Sequence, residues 1–293
     1  MIDIPSAFAS TYAEARAKFR QAAEAHGLAV ARHVHPRAVG AQGEELSVDL
    51  ALLGDPDARA MLVLLSGMHG VEGFCGSGCQ VALLQDDSVV AAIEYSGASV
   101  LLCHAVNPYG FSHLRRTNEG NIDLNRNFRD FSRPQVPNVA YASVHPMVVS
   151  PTWPPSSANS AAIGSYIAQH GMTRLQAAVS GGQCEFADGL FYAGRAPAWS
   201  NMILRDALRH HGKGREQLGW IDFHTGLGPW GHGEKIYSGP DEESMIARAR
   251  IWYGSDVTTF YVVPPTPATL PVVLSLAAPA FCHHAEVSAA APG

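Results

Sequence analysis

The sequence predicts an α/β fold: a three-layer sandwich with a central mixed, mostly parallel sheet flanked by helices. Two observations point there. Apolar runs of strand length alternate with stretches whose apolar residues recur every three or four positions. Polar clusters also fall at or just after the strand ends, where sheets of this kind gather their active groups. The chain has 293 residues, 47% hydrophobic and 16% charged. That length supports a substantial core, and that composition argues against disorder.

The elements follow in order. Ser6 to His26 predicts an amphipathic helix, with Phe8, Tyr12, Ala15, Phe19 and Ala22 on one face and Gly27 as its stop. SVDLALLG (47–54) reads as a strand. Asp55-Pro56-Asp57 reads as a turn, and RAMLVLLSG (59–67) as a more apolar strand. The pair suggests a hairpin leading into the sheet centre. GSGCQVALLQ (76–85) predicts a helix, and ASVLLCHAVNP (98–108) a strand ended by Pro108. Helical patterns follow at 157–180 and 200–211, with Ser200 as an N-cap. GWIDFHTG (219–226) is another strand, and 133–157 is a long excursion rich in Pro, Ser and Val.

Charge and cysteine usage exclude some classes. Twenty Lys and Arg against 26 Asp and Glu give a formal charge of −6 with no basic cluster, so nucleic acid is not an expected partner. Five cysteines, Cys75, Cys79, Cys103, Cys184 and Cys282, form no pair of CxxC motifs and read as buried thiols. The N-terminus shows no signal-peptide pattern, and no apolar run reaches the ~20 residues of a membrane span. A cytoplasmic location and no membrane partner are the expectations.

The chemistry gathers in three clusters. SGMHGVEG (66–73) places His69 and Glu72 on a glycine-flanked turn directly after an apolar strand. IDFHTG places His224 at another strand end. Two imidazoles and a carboxylate with an open fourth position form the ligand set of catalytic zinc, and Asp222 or a backbone carbonyl would orient His224 from behind. Each piece alone has a plain alternative, a chance H-x-x-E and a hydrogen-bonded structural His. The third cluster, NPYGFSHLRRTNEGNIDLNRNF (107–128), carries Arg115, Arg116, Asn125 and Arg126. Arg is the side chain for forked binding of carboxylates, and Asn adds a directional donor. A solvated charged loop is the plain alternative. No G-x-S-x-G elbow is present, which disfavours a serine hydrolase.

Taken together, H-x-x-E, NP-x-GF, DLNRNF and DFHTG resemble the zinc carboxypeptidase superfamily, which includes succinylglutamate desuccinylase and aspartoacylase. Within it the sequence looks most like a bacterial branch known as a domain of unknown function. The resemblance runs from about residue 45 to about residue 286. It implies a zinc-carboxypeptidase-like fold in one domain over 1–293 and one zinc ion per chain on His69, Glu72 and His224. It further implies that Asn125 and Arg126 grip a substrate carboxylate, and that Arg116 polarises the scissile carbonyl, with Arg115 as its rival. The implied activity is hydrolysis of an amide bond in a small-molecule or peptide substrate bearing a carboxylate.

One departure stands out. The resemblance leads us to expect a stretch like A-L-E-[FY]-G-T, carrying the general base, downstream of an HAEV-like segment. The sequence instead reaches FCHHAEVSAAAPG. Three readings stay open: a chain incomplete at its C-terminus, Glu286 in the role of the base, or Glu234 in that role. A non-catalytic zinc-binding protein that recognises small carboxylates is the alternative to the enzyme.

Overall fold

The computed structural model describes residues 3–226 and 231–259, and the course of a strand over 272–276. Two compact units emerge. Unit one comprises 1–116 and 199–293, and unit two comprises 117–198.

Unit one is built on a sheet of eight strands: β1 (Val30–Val39), β2 (Glu45–Gly54), β3 (Ala60–Ser66), β4 (Ser99–His104), β5 (Gln217–Thr225), β6 (Glu234–Tyr237), β7 (Thr258–Thr259) and β8 (Val272–Leu276). Their order is β1-β2-β4-β3-β5-β8-β6-β7. β3 pairs in parallel with β4 and β5, and β6 with β7 and β8. The β1–β2, β2–β4 and β5–β8 pairs are antiparallel. The sheet is therefore mixed, as its sequence predicts. Val63, Leu64, Leu65, Leu101 and Leu102 are all buried. Neighbouring strand residues point to opposite faces, so both faces of the central strands are covered. Each buried Leu contributes roughly 1.5–3 kcal/mol.

The expected hairpin of 47–54 and 59–67 does not form, because β4 lies between its two strands. All six residues of β4 are buried, so it needs partners on both edges, and the less continuously buried β1 takes the sheet edge instead. β1 itself escaped the sequence reading, because its His, Arg and Pro residues hide the strand period.

Helices of unit one correct the boundaries. The Ser6–His26 pattern splits into α1 (Ile4–Ala7) and α2 (Tyr12–Ala25). The break is a capping arrangement. Thr11 Oγ1 accepts from Glu14 N at 3.1 Å, while Glu14 Oε2 accepts from Ser10 N at 2.8 Å. Gly27, at φ 69°, ends α2 as expected. α3 (Gly73–Gln85) starts three residues earlier than its pattern, and α4 (Asp87–Ser96) follows, capped by Asp86. With α2 they bury Phe19, Ala23, Val81, Leu84 and Val90 against Leu64, Leu102 and Phe223. α5 (Pro108–Ser112) comes directly after β4.

Unit two holds α6 (Leu124–Asn127), α7 (Val139–Val148), α8 (Ser157–His170) and α9 (Met172–Ser180). Gly171, at φ 84° and ψ 153°, divides the helical stretch 157–180 into α8 and α9. Tyr141, Val144, Leu175 and Ala178 form the small core of this unit. The excursion 133–157 lies here and contains α7. Back in unit one, α10 (Trp199–His211) begins one residue before Ser200, which is buried inside the helix and is not its cap. α11 (Glu243–Tyr253) packs Ala249 against Tyr237 and Val257.

Candidate metal centre and arginine cleft

The centre of unit one starts from a turn. β3 ends at Ser66, Gly67 turns the chain at φ 70°, and a 3₁₀ turn spans Gly70–Glu72 before α3 begins. That turn leans on the NP-x-GF segment. Asn107 N donates to Gly67 O at 2.8 Å, and Asn107 Oδ1 caps α5 by accepting from Gly110 N at 2.9 Å. A β-carbon on Gly70 would lie 2.0 Å from Gly110 C, so the two backbones meet where only glycine fits. Gly70 N and Val71 N donate to the carbonyls of Arg116 and Arg115, at 3.2 and 3.0 Å. The motif and the arginine-bearing loop are thus one hydrogen-bonded piece.

This scaffold directs His69 and Glu72 toward the end of β5. β3 and β5 are parallel neighbours, with Ser66 opposite Phe223, so the residues that leave β3 arrive beside His224. His69, Glu72 and His224 are all buried, and one donor atom from each lies within 4.8 Å of the others. His69 Nδ1 is 3.1 Å from Glu72 Oε1, and His224 Nδ1 is 3.0 Å from Glu72 Oε2. The two Nδ1 atoms stand 3.1 Å apart. On the other side of the ring, His224 Nε2 meets Asp222 Oδ2 at 2.8 Å. A carboxylate there accepts the Nε2 proton and leaves Nδ1 as a lone pair. Thr225 N donates to Glu72 Oε2 at 2.9 Å, a backbone contact with no signature in the sequence.

This donor set fits a divalent cation. Two ring nitrogens and a carboxylate converge on one point, where their like partial charges repel unless something positive lies between them. Burial opposes the charge on His224, but the charge and hydrogen bond of Asp222, joined by Glu72, outweigh it and raise the imidazole to about 10. Burial likewise opposes ionisation of Glu72, yet hydrogen bonds from His224 and His69 hold it well below the usual carboxylate range.

Arg116 Nη1 lies 3.8 Å from Glu72 Oε1, whereas Arg115 is exposed. Glu234 sits on β6, where its Oε1 accepts from Thr258 Oγ1 at 3.1 Å. Glu286 lies outside the described residues.

Asn125 and Arg126 belong to unit two. Asp123 Oδ1 caps α6 by accepting from Asn125 N at 3.0 Å. Buried Asn127 donates to the carbonyls of Ala193 and Ala196 and accepts from Ala198 N, which ties the segment 193–198 to α6. The Arg126 guanidinium donates through Nη2 and Nε to Ser180 O, at 2.7 and 3.1 Å, and lies 5.3 Å from the centre of the Phe191 ring. Asn125 and Arg126 line a cleft of about 560 Å³ together with Arg129, Asn138, Gln183 and Cys184. Arg129 was not singled out from the sequence; its Arg-x-x-Arg spacing to Arg126 is the signal that could have found it. Among the described residues, no helix is long and apolar enough to cross a membrane.

Three solved structures are among those similar to this chain. Carboxypeptidase A from Helicoverpa armigera is 13% identical, over 92% of this chain and 64% of that one, with a TM-score of 0.46. Thrombin-activatable fibrinolysis inhibitor is 13% identical, over 86% and 61%, with a TM-score of 0.45. A metallo-carboxypeptidase from Pseudomonas aeruginosa, in complex with (2-guanidinoethylmercapto)succinic acid, is 13% identical, over 89% and 59%, with a TM-score of 0.39. The chain thus spans about three fifths of the length of these proteins. A likeness of that depth carries nothing about chemistry. No curated protein matches the sequence. The family model that does match covers residues 8–291, and the chain belongs to that family, described as a protein of unknown function (DUF2817).

Proposed function

We propose that the chain is a zinc-dependent hydrolase of amide bonds, acting on a small-molecule or peptide substrate that bears a carboxylate. The observation that carries this reading is the convergence of His69, Glu72 and His224, with Asp222 behind His224. In this reading the three residues hold one zinc ion per chain, which when bound supplies a Lewis acid and a water acidified toward neutral pH.

The remaining work falls to the side chains. Asp222 fixes the tautomer of His224 and keeps Nδ1 available as a donor atom. Arg116, its guanidinium close to Glu72, offers N–H groups to a carbonyl oxygen that gains charge, an effect worth about 3–4 kcal/mol. Asn125 and Arg126, with Arg115 as a further candidate, hold the substrate carboxylate. Glu286 is assigned the general base, which takes a proton from water and delivers it to the leaving nitrogen.

Elemental analysis of dialysed protein tests the reading. The expected result is about one zinc per chain in the wild type and almost none in His69→Ala. Zinc-dependent release of an amine from N-acyl amino acids or peptides should accompany it. Bound zinc without any hydrolysis would leave a zinc-dependent carboxylate receptor. No zinc in either protein, even after reconstitution, would overturn the metal centre itself.

A further inference from the structure

Two thiols stand apart from both centres. Read from the sequence as buried, Cys75 and Cys79 are only half-buried, whereas Cys103 and Cys184 are buried. Both lie on α3, four residues apart, and so on one side of the helix, about 40° from each other. Two glycines press α3 against its surroundings. A β-carbon on Gly76 would meet Ser66 Cβ at 2.8 Å and Phe223 Cβ at 2.9 Å, and one on Gly78 would meet the Phe8 ring at 2.4 Å. The helix is thus held on two sides, and the two cysteines lie on the side between them. The Cys75 thiol donates to the Cys79 sulfur. That hydrogen bond, with burial adding to it, holds the Cys75 thiol above the usual thiol range, and it holds Cys79 below that range against burial. α3 carries no charged side chain that would compete for a thiolate.

Two sulfurs so placed suit a bridging ion better than a bond to each other. Cβ atoms at this helical spacing lie about 5–6 Å apart, whereas a disulfide draws them to about 3.5–4.5 Å. An ion with two sulfur bonds of about 2.3 Å, the length found for zinc, holds the sulfurs up to about 4.6 Å apart. Thiolate is a soft donor and selects soft ions. Zinc asks for four ligands, and among the described residues no third His, Cys, Asp or Glu donor joins the pair. Cu(I) is soft and is satisfied by two thiolates in a line.

We infer that Cys75 and Cys79 form a second metal site, which binds one Cu(I) ion between their two sulfurs. Both thiols give up their protons as the ion binds, so the complex carries one negative charge. Cys75 lies three residues beyond Glu72, so the site adjoins the candidate metal centre without sharing a ligand with it.

Anaerobic titration of the reduced full chain with Cu(I), against bicinchoninate as a competing chelator, tests the inference. The wild type should retain about one Cu(I) per chain. Cys75→Ser and Cys79→Ser should each weaken binding about 100-fold or more, since a change outside the ligand shell already costs about 10–100-fold. X-ray absorption of the wild-type complex should show sulfur donors alone around copper. His69→Ala should retain the ion, which separates this site from the metal centre. An unchanged melting temperature would show that the variants are folded. The inference is overturned if the wild type yields all its copper to the chelator, or if the Cys75→Ser/Cys79→Ser double variant retains it. Nitrogen donors around the copper would overturn it too, as would loss of the ion from His69→Ala at an unchanged melting temperature. Hydrolysis plays no part in the titration, so failure here leaves the proposed reaction standing.

Discussion

The metal centre of unit one and the arginine cleft of unit two are assembled by different means. The centre joins Glu72 to His224 across 152 positions of sequence. They meet because β3 and β5 are parallel neighbours that end at the same level. The cleft gathers residues from one contiguous stretch, 125–193, held by side-chain bonds to backbone carbonyls. The first is buried and fixed by the sheet, and its donors face one another. The second is an open cleft lined by two arginines. Sites made by strand adjacency have their geometry set by the core. Sites made by turns keep theirs through local hydrogen bonds, and can change specificity without disturbing the core.

The largest expected effect concerns the burial of the sheet side. His104 is fully buried at the end of β4, stacked on Phe19, with Nε2 2.9 Å from Ser77 Oγ. Burial lowers its pKa from 6.5 to about 4. For a base held below its unfolded value, the unfolded chain takes the proton first. The His104 contribution should thus be complete above about pH 6.5 and be lost as the pH drops toward 4, by about 3 kcal/mol in all. Urea unfolding of zinc-free protein across that range should show the loss, and His104→Gln should flatten its share of the slope. Identical slopes would mean that water reaches His104.

A smaller effect separates orientation from ligation. Asp222→Asn should keep the three donors but weaken zinc binding by about 10–100-fold, because the ring of His224 loses its carboxylate. Competition with a chelator measures this directly. An unchanged affinity would show that β5 alone fixes the ring.

An effect of similar size tests whether the two centres are separable. Arg126→Ala should leave zinc stoichiometry at its wild-type value while weakening carboxylate ligands by about 1.5–3 kcal/mol, the worth of a hydrogen bond to a charged group. Loss of the metal in that variant would break the division drawn above.

Much of this was legible in the residues. β3 and β4 show as apolar runs because strands buried on both faces need no alternation, whereas β2 shows through its alternation. Gly27 marks the end of α2, and HGVEG and DFHTG announce donors at strand ends. The misses are equally specific. The hairpin of 47–54 and 59–67 fails because strand order depends on which strand demands the centre, a property of the whole sheet. The break at Phe8 to Thr11 shows only in the Thr11–Glu14 cap, which an amphipathic pattern running through it conceals. Thr225 serves Glu72 through its backbone, which no side-chain motif can signal.

The sequence by itself determined the α/β class, the donor types and the turn that presents His69 and Glu72, because composition, periodicity and glycine placement act locally. The tertiary structure alone decided that β5 would lie beside β3 and so bring His224 to His69 and Glu72. That outcome depends on a pairing across more than a hundred residues, where packing and hydrogen-bond satisfaction of the whole unit select one arrangement from many that local propensity allows.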